Sequence, residues 1–179
     1  VKNNDIIIGL RSNGIHSNGY SLIRKIISNK KIRLDKKPPY ESKELTLGKD
    51  LLRPTKIYIK SILPLIKKGL ISSMAHITGG GIIENIQRSI PSDMCAEIKS
   101  ENFESDDCFK WISKIGDISA SEMMKTFNCG IGFIVIINKK NETAVKKFFN
   151  KNKIDFFYLG NIKKRNIHKV NIKKLNPWF

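Results

Sequence analysis

Apolar residues recur along the chain with two periods, one suited to strands and one to helices. Asp5 to Leu10 (DIIIGL) is a short apolar run that reads as an inner strand, and it enters Arg11-Ser12-Asn13-Gly14, a turn composition. Beyond Ser17-Asn18-Gly19, the residues Tyr20, Leu22, Ile23, Ile26 and Ile27 recur at helical spacing, with Ser17 or Asn18 placed to cap the helix. Lys30 to Gly48 is polar, lacks a clean period, holds Pro38-Pro39, and reads as a long surface excursion. Pro54 suits the first turn of a second helix carrying Ile57, Tyr58, Ile62 and Leu65, which Pro64 bends or ends. Met74 to Ile77 is a very short strand leading into Thr78-Gly79-Gly80-Gly81; Ile82, Ile83 and Ile86 then form an apolar stripe that Pro91 stops.

The second half repeats the alternation. Met94 to Ile98 reads as a strand, and Phe109, Trp111, Ile112 and Ile115 as a helix ending at Gly116. Ser119 or Ser121 caps a short helix through Met123, Met124 and Phe127. Cys129 to Ile137 (CGIGFIVII) is nearly all apolar and is expected at the middle of the sheet. Glu142 to Asn150 reads as a helix and Ile154 to Ile162 as a strand. The basic, loosely alternating tail after Arg165 is an edge strand or a frayed end. With no internal repeat and no dividing linker, the pattern predicts one α+β domain of strands and helices around a mixed sheet.

Composition changes this picture little. The 179 residues are 40% hydrophobic, above a disordered composition, and no apolar run approaches the ~20 residues of a membrane span. The opening Val-Lys-Asn-Asn-Asp lacks the apolar stretch of a signal peptide, so a cytoplasmic location and no membrane partner are expected. Cys95, Cys108 and Cys129 match no zinc spacing, and reduced, inert thiols with no metal are expected. The net charge of +17 suits a nucleic-acid binder. Its lysines are scattered, however, and Ile, Asn and Lys are the residues an AT-rich genome favours. No nucleic-acid partner is therefore expected, and a basic nucleic-acid-binding domain is kept as the alternative from a different class. It would need Lys139-Lys140, Lys146-Lys147 and Lys163-Lys164-Arg165 to converge on one face.

Chemistry concentrates in the glycine-rich turns. Ser12 through Tyr20 packs hydroxyls, amides and glycines between a strand and a helix, and exposed N–H groups at a helix start bind phosphate or carboxylate. His16 lies among them with an ordinary pKa near neutrality, so it exchanges a proton, donates to an anion, or simply packs against a capped helix. Thr78-Gly79-Gly80-Gly81 lets the main chain approach a ligand closely, yet has neither the Gly-Lys-Ser/Thr of a Walker A loop nor a dinucleotide fingerprint; a tight turn is the plainer reading. Asn128, before Cys129-Gly130-Ile131-Gly132, bonds either a ligand or the main chain. Arg53-Pro54-Thr55-Lys56 is a cationic helix entrance or only a charged first turn.

Four blocks, in order, resemble the C-terminal domain of the aminoimidazole ribonucleotide synthetase family. They are Asp5–Leu10 with Gly14-Ile15-His16-Ser17-Asn18-Gly19-Tyr20; Leu52-Arg53-Pro54-Thr55-Lys56-Ile57-Tyr58; Ala75-His76-Ile77-Thr78-Gly79-Gly80-Gly81 with Glu84-Asn85-Ile86; and Glu122-Met123 with Thr126-Phe127-Asn128-Cys129-Gly130-Ile131-Gly132. The resemblance implies a three-layer α/β/α domain over residues 1–165, partly ferredoxin-like, with residues 166–179 as edge strand or tail. It also implies a ligase of purine biosynthesis that closes the imidazole ring of formylglycinamidine ribonucleotide. ATP and Mg2+ would be bound mainly by an N-terminal domain absent from this chain, and the full-length protein would be a homodimer. It assigns His16 to polarising or protonating a reacting group, Thr78, Gly79, Gly80 and Gly81 to the ribonucleotide phosphate, and Ser17, Asn18 and Asn128 to orienting substrate. The chain alone is expected to be inactive. Asn13 departs from the family, which commonly has serine there. The alternative is a domain of a related ATP-using enzyme: formylglycinamidine synthetase, selenophosphate synthetase or thiamine-phosphate kinase. If the assignment holds, His16 and the Thr78–Gly81 turn should border one concave surface.

Overall fold

The computed structural model describes residues 1–173. The elements run β1 (Ile6–Arg11), α1 (Tyr20–Asn29), α2 (Leu47–Leu51), α3 (Ile59–Lys67), β2 (Ser73–His76), α4 (Gly81–Arg88), β3 (Met94–Lys99), α5 (Asp107–Gly116), α6 (Ala120–Thr126), β4 (Ile131–Ile137), α7 (Glu142–Lys151), β5 (Phe156–Lys164) and β6 (Val170–Lys173). The strands form one six-stranded sheet in the order β2-β4-β1-β5-β3-β6. Its neighbours are antiparallel except for the parallel pair β3 and β6, so the sheet is mixed.

Alternation along the inner strands divides the core. Ile7, Ile134 and Ile136 face α1, α2, α4, α5 and α6 through residues such as Ile23, Leu51, Ile82, Phe109 and Met124. Ile6, Ile8, Val135 and Ile137 face α3 and α7 through Ile62, Leu65, Val145 and Phe149. Apolar side chains on both faces of β1 and β4 are what a covered sheet demands. The result is the expected α/β/α sandwich. Residues 170–173 of the tail form the edge strand; residues 174–179 lie outside the described residues.

Two local expectations need correction, and a third gains an anchor. Neither Ser17 nor Asn18 caps α1: Gly19 holds the N-cap position in a left-handed conformation, with no side-chain cap bond. Pro54 does not open a helix, because α3 begins only at Ile59; residues 53–58 are tied instead to the end of β1, with Lys56 Nζ and the Tyr58 hydroxyl both donating to the Arg11 carbonyl, at 3.1 and 3.0 Å. The excursion from Lys30 to Gly48 is anchored at its end by buried Leu47 and Leu51 and by Asp50. That carboxylate is 1% exposed and accepts from the hydroxyls of Tyr40 and Ser42 while pairing with Arg53.

Candidate functional site

The segment between β1 and α1 is folded by main-chain geometry rather than by a cap. Gly14, His16 and Gly19 all have positive φ, as do Cys129 and Gly130 in the turn that faces it before β4. A histidine at φ +59° is strained, and such residues gather at functional sites. Asn128 supports both turns at once. Its side-chain amide donates to the carbonyls of Gly14 and Ile15 at 2.9 and 3.1 Å, and its oxygen accepts from the Gly130 N–H at 2.9 Å. Asn128 is fully buried, so whatever orienting it does is exerted on the loop. Asn18 likewise donates from within the core to the Ile77 carbonyl, at 3.1 Å, and ties the first loop to the strand entering the glycine turn.

The β1–β4 register slips at Gly132, where Leu10 faces Phe133 and Arg11 faces Ile131. A Cβ on Gly132 would lie 2.0 Å from the Tyr58 hydroxyl and 2.5 Å from His16 Cε1. The glycine therefore makes room for a ring cluster. His16 and His76 are 6.4 Å apart between centroids, and Tyr58 lies 6.2 Å from His16 and 6.0 Å from His76.

The protonation of His16 follows from its neighbours. Asn13 Nδ2 donates to the Pro54 carbonyl at 2.9 Å, which turns Asn13 Oδ1 toward His16 Nε2 at 2.8 Å. The Asn13 and Lys56 main-chain N–H groups also point at Nε2, each at 3.4 Å, so every polar contact of the ring gathers on that nitrogen, and Nδ1 is buried without a partner. Burial, with smaller contributions from His76 and Lys56, lowers the His16 pKa to about 4. Burial also lowers that of His76. His16 is thus neutral at physiological pH, with one ring nitrogen able to donate and the other to accept. Because its folded pKa lies below the ordinary 6.5, the unfolded chain takes up the proton first. His16 should therefore withdraw stability as pH falls from 6.5 through about 4, by roughly 3 kcal/mol in all. Imidazole 15N spectra should show a neutral His16 ring down to pH 5. The stability advantage of His16→Gln over the parent should grow below pH 6.5, and a His16 signal titrating near 6.5 would refute the assignment.

The second turn is organised by a residue that the sequence reading left without a role. Asn85, in α4, donates to the carbonyls of Thr78, Gly79 and Gly81 at 3.2, 3.1 and 2.8 Å, and its oxygen accepts from the Thr78 hydroxyl at 3.3 Å. Gly80 and Gly81 are left-handed, and Thr78 and Gly79 are exposed. Ser17 is exposed and shares a hydrogen bond with Thr55 at 3.3 Å.

Two cavities flank the first loop. A polar one of about 540 Å³ is lined by Arg11, Ser12, Asn13, Arg53, Ser105 and Asp106 among others, and the Ser12 and Ser105 hydroxyls are buried there without partners. Arg11 pairs with Asp106 across it at 2.7 Å. The other, about 460 Å³ and mostly apolar, has Lys56, Tyr58 and His76 at one end. Neither is lined by Thr78–Gly81; the two residues just before that turn, His76 and Ile77, meet the His16 loop through the ring cluster and the Asn18 bond. The three cysteines are buried and free, and burial raises each thiol pKa. Among the described residues no helix is long and apolar enough to cross a membrane.

A family model described as AIR synthase related protein, C-terminal domain, matches residues 2–173. The chain is 43% identical over 164 residues to phosphoribosylformylglycinamidine cyclo-ligase of Ligilactobacillus salivarius, covering 90% of this chain and 47% of that protein. It is 42% identical over 170 residues to the enzyme of the same name from Neisseria gonorrhoeae, covering 94% and 48%. Saccharomyces cerevisiae bifunctional purine biosynthetic protein ADE5,7 is 38% identical over 161 residues, with 90% of this chain and 20% of that one covered. The chain thus spans about half the length of the two bacterial relatives. Among solved structures, thiamine-monophosphate kinase from Stenotrophomonas maltophilia superposes with a TM-score of 0.60 at 11% identity, over 96% of this chain and 51% of that one. The hydrogenase maturation protein HypE of E. coli gives 0.58 at 12%, over 96% and 47%. At such identities these two likenesses speak for the fold alone.

Proposed function

Because the chain belongs to the family of AIR synthase related proteins, as their C-terminal domain, we propose that it is one half of a phosphoribosylformylglycinamidine cyclo-ligase. The observation that carries this is identity of 43% over 164 residues, 90% of the chain. The reaction is closure of the imidazole ring of formylglycinamidine ribonucleotide: ATP phosphorylates the formyl oxygen, the internal amine attacks the activated carbon, and ADP and phosphate leave. ATP and Mg2+ are held mainly by the other half, and the full-length protein is a cytoplasmic homodimer.

Within this reading the Thr78–Gly81 turn takes the ribonucleotide phosphate. Three of its carbonyl oxygens are bound by Asn85, so an oxyanion outside meets main-chain N–H groups and the positive end of α4, and gains the Thr78 hydroxyl once that releases Asn85. Ser17 adds an exposed hydroxyl; Asn18 and Asn128 act by holding the loops. His16, kept neutral, accepts the proton released as the amine closes the ring. Its ring is 4% exposed, so this role requires the loop to open when substrate and the second half are present.

Calorimetric titration with formylglycinamidine ribonucleotide, with and without a separately expressed N-terminal half and Mg-ATP, tests the assignment. Product is expected only from the complete mixture, and His16→Gln should lower kcat by roughly 10²–10⁴-fold with a smaller change in KM. Neither binding nor turnover, with both halves folded and associated, would transfer the chain to one of the related ATP-using enzymes.

A further inference from the structure

The outer side of α3 and the neighbouring edge of the sheet carry an apolar surface left open among the described residues. Ile57 is 77% exposed, Ile59 66%, Met74 44%, Leu63 43% and Ile66 41%. Together with Phe133 they line the apolar cavity of about 460 Å³. Scattered exposed aliphatics are ordinary, but five along one groove mark a contact surface. The outer edge of β2 lies beside them, since among the described residues β2 pairs only with β4. At one end the groove runs into Lys56, Tyr58 and His76, the groups around His16, so whatever covers it also walls the candidate site.

We infer that this groove is the docking surface for the other half of the cyclo-ligase, an inference that rests on the function proposed above. Size argues for that occupant. The two bacterial relatives carry this domain in 47% and 48% of their length, and the two fold neighbours in 51% and 47% of theirs, so a second body of equal size accompanies it in different enzymes. Charge argues against a second copy. Lys60, Lys67 and Lys68 are exposed on or just beyond α3, and a two-fold contact through this helix would set them against their own equivalents in a chain of net charge +17. The partner surface should therefore be apolar at its centre, with carboxylates at the rim facing these lysines.

The test joins the N-terminal half of the Ligilactobacillus salivarius enzyme to the front of this chain and compares amide exchange with the chain alone. Residues 59–67 and 73–76 should exchange about tenfold more slowly in the joined protein, and Leu63→Glu, at a half-exposed position, should abolish that protection without lowering the melting temperature of the isolated chain. Protection on another face, or none, overturns the docking surface. So does an isolated chain that sediments as a dimer broken by Leu63→Glu, since the groove would then belong to a second copy. Cyclo-ligase activity is read on the same preparation: activity without protection of α3 removes this inference and leaves the function standing, whereas protection without activity does the reverse.

Discussion

Gly81→Ala is expected to destabilise the domain by about 2–5 kcal/mol, a loss that a urea unfolding curve resolves easily. Two costs add. Gly81 has φ +59°, and a left-handed conformation costs an L-residue roughly 1–2 kcal/mol. The new Cβ would also lie 2.1 Å from the Met124 carbonyl oxygen and 2.8 Å from the Lys125 carbonyl carbon, so α4 and α6 would have to move apart. These are backbone atoms, which cannot rotate away as a side-chain tip can, and overpacking of this kind adds roughly 1–3 kcal/mol. Gly79 is the control within the same turn. It has no left-handed φ and nothing within 4 Å of a built Cβ, so Gly79→Ala should shift stability by less than about 1 kcal/mol. The comparison separates the two readings of the three glycines. Gly81 is required by packing whether or not a ligand binds, whereas Gly79 is exposed and would be required only by a phosphate approaching the turn. Weakened ribonucleotide binding in Gly79→Ala, at unchanged stability, would support the proposed phosphate site; equal losses of stability at both positions would contradict this account.

The contrast shows which parts of the molecule were legible in the residues. Strands β1 and β4 and helices α1, α4, α5 and α7 are periodic enough to read directly, because their apolar residues face one core or both. The start of α3 was not, since residues 53–58 are held by bonds to Arg11, more than 40 positions away, which override the local preference of Pro54 for a helix start. The roles of Asn13 and Asp50 were hidden for a related reason: each acts by bonding groups that the folded chain brings near, such as Pro54 for Asn13 and Tyr40 for Asp50. Asn85 had a local clue, lying four residues beyond Gly81 in a turn whose carbonyls needed partners. His16 could be singled out by its company of glycines and hydroxyls, but its protonation could not, because burial, with His76 and Lys56 nearby, decides it.

Asn128→Ala is expected to cost about 3–5 kcal/mol, because it orphans three buried main-chain groups in a single substitution. The Gly14 and Ile15 carbonyls lose their donor and the Gly130 N–H loses its acceptor, at a site with no exposure to water. Each orphaned group costs roughly 1–3 kcal/mol, less what relaxation or an entering water recovers. Asn128→Asp separates the contributions. It keeps an acceptor for Gly130 but sets a carboxylate against two carbonyl oxygens, so it should be at least as damaging above pH 7 and should recover part of the loss in acid, where a protonated carboxyl can donate to one of them. The damage should also reach the site. Gly14 and Ile15 immediately precede His16, so freeing them removes the constraint that holds its strained φ and its place beside Tyr58 and Gly132. In the 15N imidazole spectrum, Asn128→Ala should therefore move the His16 pKa from about 4 toward the ordinary 6.5 while the fold persists at low temperature. A destabilised variant whose His16 still titrates near 4 would show that the loop keeps its geometry without Asn128, leaving that residue a role in stability alone.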